Sequence, residues 1–177
     1  MNYLALRSQI KTGDYGLCRG TQVMSKCIEW ASGPFSHVFK FLWIGDGLFV
    51  VEEWEGVGFQ IVPASQKLDY YWGMNPAGVV KWGKAPDSIR DNPQVGTDFI
   101  STYRINKSLD PYGGAKTFLQ IAESKLGIGF DPMKVQAVCS VFCQQYDMQY
   151  GLHFDSLFTP SDFIKIATDL TLIEKGV

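Results

Sequence analysis

Cys139 is the residue best placed to act as a nucleophile. It lies in Gln136-Ala137-Val138-Cys139-Ser140-Val141-Phe142-Cys143, where the apolar pattern predicts the start of a helix. Unpaired N–H groups and the macrodipole at a helix start favour an anion, and so favour thiolate over thiol. A cysteine in an apolar helix is more often an inert core residue, so Cys139 needs partners to count as a candidate. His37, in Gly33-Pro34-Phe35-Ser36-His37-Val38-Phe39, is the natural base, because imidazole titrates near neutrality. A lone histidine is more often a surface or satisfied core residue, and His153, just after Gly151, reads as a loop residue. A third group should orient the imidazole. Glu52 and Glu53 lie on the strand expected to run antiparallel to that of His37. Alternate strand residues face opposite ways, so only one of the two can face the histidine.

The elements that must position these residues follow from periodicity and turn signals. Gly13-Asp14 makes a turn before a short strand, Tyr15 to Arg19. Thr21 can cap a helix in which Val23, Cys27 and Trp30 share a face, with Gly33-Pro34 as its stop. His37 to Trp43 and Leu48 to Trp54 read as a hairpin around Asp46-Gly47, and Phe59 to Val62 as a third strand. A two-residue loop at Asp46-Gly47 pairs Gly45 with Leu48 and puts Glu52 on the face of His37. It also sets Gly56 opposite His37 and leaves Glu52 about 13 Å along the strand, so this register needs some slip or bend. Residues 63–112 hold five of the eight prolines and read as a long loop-rich insertion carrying two strands, Val79 to Trp82 and Phe99 to Ile105. The last third is helical: one helix through Ala115, Phe118, Leu119, Ala122 and Leu126 to Gly127, a connector to Val135, a second from Ala137 to Tyr150, and a third opening at Thr159-Pro160-Ser161-Asp162. Partly segregated strand and helix runs point to an α+β fold with an antiparallel sheet packed against helices.

These pieces together resemble a known family. Gly13-Asp14-Tyr15-Gly16-Leu17-Cys18-Arg19-Gly20, a helix, Phe35-Ser36-His37-Val38, Val50-Val51-Glu52, Gly56-Val57, Cys139-Ser140-Val141-Phe142 and Thr159-Pro160-Ser161-Asp162-Phe163 follow in an order similar to the circularly permuted branch of the NlpC-type papain-fold hydrolases. That branch includes the YiiX-like proteins and is related to the lecithin–retinol acyltransferases. Phe163 stands where the family pattern has a Leu-like residue. Each piece is short; the order is the specific feature, with His about a hundred residues before Cys. The resemblance spans about residues 13 to 165 and implies a single papain-like hydrolase domain over 1–177. It implies Cys139 as nucleophile, His37 as base and Glu52, directly after Val50-Val51, as the orienting third residue. One oxyanion donor would be the backbone N–H of Cys139.

Composition narrows the partners. The chain has 177 residues, 46% hydrophobic and 19% charged, which suits one packed domain rather than a disordered chain. Sixteen Lys+Arg against eighteen Asp+Glu, scattered rather than clustered, gives a formal charge of -2 and argues against a nucleic-acid partner. No stretch approaches the ~20 apolar residues of an integral membrane segment, and no signal peptide is visible, so a cytoplasmic location is expected, with release by lysis or secretion left open. The four cysteines, Cys18, Cys27, Cys139 and Cys143, contain no C-x-x-C pair and read as free thiols. Neither a metal site nor a cofactor is expected.

The expected function is hydrolysis of an amide, ester or thioester through an acyl-enzyme, on a cell-wall peptide or an acyl small molecule. Acyl transfer, with an amine or alcohol replacing water, is the second enzymatic reading. A catalytically idle papain-like binding or structural module is the third, since fold does not fix function. Trp43, Trp54, Tyr70, Tyr71 and Trp72 could line an acyl groove, though such residues are more often core or surface strand residues.

Overall fold

Strand formers on both sides of Gly45-Asp46 close into the hairpin at the centre of the fold. The computed structural model describes residues 2–21, 25–26, 29–30, 33–54, 58–74, 79–90, 92–109, 137–154 and 159–174. Six strands form one antiparallel sheet: β1 Tyr15–Arg19, β2 His37–Ile44, β3 Gly47–Trp54, β4 Gly58–Pro63, β5 Val79–Lys84 and β6 Thr168–Leu172, in the order β4-β3-β2-β1-β5-β6. The helices are α1 Tyr3–Arg7, α2 Ala64–Met74, α3 Asp87–Arg90, α4 Pro93–Leu109 and α5 Ala137–Gln149, with a 3-10 helix at Pro160–Lys165. The fold is therefore α+β, a six-stranded antiparallel sheet with helices, and no described helix is long and apolar enough to cross a membrane.

Each face of the sheet carries its own apolar layer, as alternation along the strands requires. Val38, Leu42 and Val51 pack with Phe99, Cys139, Phe142, Cys143 and Tyr146 from α4 and α5. Phe39, Phe41, Leu48 and Val50 pack on the other face with Leu6 of α1 and Ala64, Leu68 and Tyr71 of α2. A buried polar tie crosses the first layer, where Tyr15 Oη donates to Asp147 Oδ2 at 2.6 Å and Lys40 pairs with the same carboxylate. It joins α5 to β1 and β2.

The Gly13-Asp14 turn also has a structural task. Asp14 is fully buried and accepts from Lys11 N, Trp82 Nε1, Ala85 N and Arg90 Nε at 2.8–3.0 Å. It ties β1 to β5 and α3. Gly13 sits at φ 91, and a Cβ there would meet Ile89 Cγ2 at 2.8 Å, so the turn needs glycine.

Several expectations need correction. The segment 63–112 is not loop-rich where it is described: α2, β5, α3 and α4 all lie within it. Phe99 to Ile105 is not a strand but part of α4. Its aromatic and β-branched residues suggested a strand, but Val95, Phe99 and Tyr103 recur at helical spacing, with Val95 and Phe99 buried. Pro93 suits the first turn, and tertiary packing overrides local propensity. Trp30, expected on a buried helix face, is 87% exposed. Gly33 does end a helical segment, at φ 110 with its N–H donating to Glu29 O. The expected third helix is a 3-10 turn, and α1 and β6 were not foreseen. Val23, Cys27, Gly56-Val57, the helix expected near Ala115 to Leu126 with its stop at Gly127, and the connector to Val135 lie outside the described residues.

Candidate active site

The hairpin register brings His37 and Glu52 together. The loop is Gly45-Asp46, not Asp46-Gly47, because Ile44 pairs with Gly47 and Lys40 with Val51. Gly45 takes φ 56, as the first loop position of a II′ turn asks of glycine. Relative to the expected register the strands have moved by two residues. An even slip keeps every side chain on its expected face, and it cuts the offset between His37 and Glu52 from four residues to two. The distance becomes a diagonal cross-strand contact, about 7–8 Å between backbones and within reach of long side chains. His37 Nε2 and Glu52 Oε2 are 2.8 Å apart. Glu53 alternates to the opposite face, across from Phe59.

The chain entering β2 is fixed from two sides. Phe35 N donates to Ser161 Oγ at 3.0 Å, and Ser161 Oγ donates back to Phe35 O at 3.2 Å. Ser36 N donates to Cys18 O at 2.9 Å, and Gly20 N donates to Ser36 Oγ at 3.1 Å. The Thr159-Pro160-Ser161-Asp162 motif thus presents a serine to the backbone two residues before His37. Asp162 holds the motif's own turn by accepting from Thr159 N and Oγ1.

Cys139 comes from the other layer. It is the third residue of α5, and its thiol hydrogen-bonds to the His37 imidazole. His37 alternates onto the α2 face while α5 packs on the opposite one. The two meet because each stands at the beginning of its element. Glu52 occupies Nε2, which leaves Nδ1 as the nitrogen for sulfur. His37 keeps 14% of its side-chain surface exposed, against zero for Glu52, while Cys139 is buried.

Glu52 is buried and fully satisfied. Oε2 accepts from His37 and from Tyr71 Oη at 2.6 Å, and Oε1 accepts from Gln60 Nε2 and Lys67 Nζ, each at 2.5 Å. Burial alone would push this carboxyl up, but the His37 and Lys67 contacts outweigh it and hold the pKa below the usual carboxylate value. Burial likewise pushes His37 down. The negative sulfur of Cys139 and its hydrogen bond, with Glu52 behind, carry the imidazole up to about 9 instead. At neutral pH the imidazole of His37 is therefore held in its protonated form, facing Cys139. Glu53, by contrast, is pushed up to about 7 by burial and by the Glu52 charge.

All three residues expected at the site are thus brought together, while Glu53 is not. His153 is an exposed residue beyond the end of α5. Lys67, Tyr71 and Gln60 were missed. The signal for the first two was the spacing Ala64, Leu68, Tyr71, which makes one helix face with Lys67 beside it. Gln60 is the cross-strand partner of Glu52, legible only once the β3–β4 register is known. Of the aromatic residues expected along a groove, Tyr71 is buried against Glu52 and Phe39, and Trp43 donates to Ile10 O.

No protein-family model matches the chain, and no curated protein matches it. Among solved structures it is similar to the crystal structure of the metalloprotein YiiX from Escherichia coli O157:H7, with 14% sequence identity, a TM-score of 0.41, and coverage of 95% of this chain and 98% of that one.

Proposed function

We propose that the chain is a cysteine hydrolase of the papain-like, circularly permuted NlpC type, acting on an amide, ester or thioester bond of a peptide or acyl substrate. The observation that carries this reading is one imidazole bonded to both Cys139 and Glu52, with Nε2 2.8 Å from the carboxylate. The order of the sequence motifs supports it independently.

The chemistry follows from the geometry. The Cys139 thiolate attacks the substrate carbonyl carbon, and the carbonyl π electrons move onto oxygen. The backbone N–H of Cys139 is the candidate donor to that oxyanion. Collapse breaks the bond to the leaving group, which takes the proton from His37, and a thioester remains on Cys139. Water then attacks the thioester while neutral His37 accepts its proton. Collapse releases the acid and restores the thiolate–imidazolium pair. Glu52 makes no bond to substrate; it fixes the ring and favours its protonated form.

The test is a panel of p-nitrophenyl esters, thioesters and cell-wall peptides offered to the wild type and to Cys139→Ala. Intact-protein mass spectrometry reads the acyl adduct. Turnover with an acyl group on the Cys139 peptide is expected. Equal turnover by Cys139→Ala would overturn the reading.

A further inference from the structure

Glu52 has more donors than orientation requires. Tyr71 and Gln60 are neutral donors, one on each carboxylate oxygen, and suffice to fix the group in space. Lys67 adds a cation to the same oxygen that Gln60 already serves, at 2.5 Å, with only 8% of its side chain exposed. Burying an ammonium is costly unless its charge is used.

The use is visible when the charges are counted along the site. Thiolate, imidazolium, carboxylate and ammonium alternate in sign from Cys139 through His37 and Glu52 to Lys67. With Lys67 present, the four groups sum to zero both in the thiolate–imidazolium form and in the neutral thiol–imidazole form. Without it, the thiolate–imidazolium form carries a net buried negative charge, and the neutral combination is thiol with imidazolium. We propose that Lys67 is a positioning residue of this site: it fixes one oxygen of Glu52 so that the other faces His37, and its charge lets Cys139 lose its proton while His37 keeps one. This inference rests on the cysteine-hydrolase reading and assigns a task in it to α2.

No other described cation stands in for Lys67. Among the described residues, the titratable groups around His37 and Glu52 are Cys18 from β1, Cys139 and Cys143 from α5, and Lys67 and Tyr71 from α2; Glu53 points to the far side of β3. The rings of Tyr70 and Tyr71 lie 5.0 and 5.3 Å from the Lys67 ammonium and present it with π faces rather than with charge.

The experiment measures the pH midpoint of Cys139 alkylation by iodoacetamide, read by peptide mass mapping, beside the imidazole titration of His37 by NMR. Only two histidines exist, so His153→Ala completes the assignment. Lys67→Met is expected to move both midpoints up, by about one pH unit, which makes alkylation below the midpoint about tenfold slower. Lys67→Arg keeps the charge and stays near wild type. A purely structural role would change stability without moving the midpoints. Lys67→Met made in a Glu52→Gln background leaves no carboxylate unpaired, so it folds without a stranded charge, and its midpoint should also lie above that of Glu52→Gln alone. Unmoved midpoints in both backgrounds, with circular dichroism unchanged, would overturn the inference and leave the hydrolase reading standing. A wild-type Cys139 that titrates as an ordinary thiol would instead sink both.

Discussion

At the scale of single residues, what separates Cys139 from the other described cysteines is its company. Cys18 and Cys143 are buried, and burial first of all pushes both thiols well above their ordinary range. Cys139 alone is hydrogen-bonded to the imidazole. Brief alkylation at mildly acidic pH should label Cys139 ahead of Cys18 and Cys143; preferential labelling of Cys143 would remove Cys139 as nucleophile. His37→Ala should cut turnover by about 10²–10⁴-fold or more, since proton transfer alone is worth that much, while His153→Ala changes it little. Equal losses in the two variants, at unchanged circular dichroism, would show the histidine to be misassigned. Glu52→Gln should lower kcat clearly but less than Cys139→Ala, because it weakens the hold on the imidazolium without removing a reacting atom. Cys139, His37 and Glu52 could be picked out in the sequence because the proposed roles of nucleophile, base and orienting group call for particular residue types. Lys67 could not, because a lysine on a surface helix looks the same in sequence as one turned inward onto a carboxylate.

At the scale of elements, legibility depended on how local the signal was. The β2–β3 hairpin was visible from its strand formers and its turn, yet the turn lies one residue earlier than Asp46-Gly47 suggested. The face assignment of Glu52 survived because the slip was even; an odd slip would have exchanged Glu52 and Glu53. Helix α4 was misread because its β-branched and aromatic residues favour a strand locally, while its burial against α5 is decided by distant residues. Gly16 shows the same dependence on distant residues. A Cβ there would lie 2.0 Å from the ring of Phe39, on which Tyr71 stacks at 5.6 Å before donating to Glu52. The lead into β2 gives the cleanest test at this scale. Ser161→Ala removes the acceptor of the buried Phe35 N–H, at a cost of about 1–3 kcal/mol. It should lower the unfolding free energy read from urea denaturation by that amount and also lower kcat, because the strand that begins at His37 loses its anchor. Wild-type stability in Ser161→Ala would show that the motif does not hold this segment.

At the scale of the whole molecule, the site makes stability depend on pH with a definite sign. Two groups hold their protons more tightly when the chain is folded. Glu53 rises from 4.5 to about 7, through burial and then the Glu52 charge. His37 rises from 6.5 to about 9, where the sulfur of Cys139 and then Glu52 outweigh the opposing effect of burial. In each case the contribution is complete below the unfolded value and is lost as pH climbs through the folded one. These two contributions should therefore fade across two overlapping windows, 4.5 to 7 for Glu53 and 6.5 to 9 for His37. Glu52 acts in the opposite sense: its pKa is lowered, so its contribution is present above 4.5 and lost as pH falls below that. Maximum stability is expected at about pH 5, between these opposing trends. Urea midpoints at constant ionic strength would trace the curve. Glu53→Gln should flatten the lower window and leave the upper one. Cys139→Ala should flatten the upper window, because without the sulfur the His37 imidazole loses the largest contribution holding its proton. A lower window that Glu53→Gln leaves unchanged would mean that the Glu53 proton is not held as its burial requires.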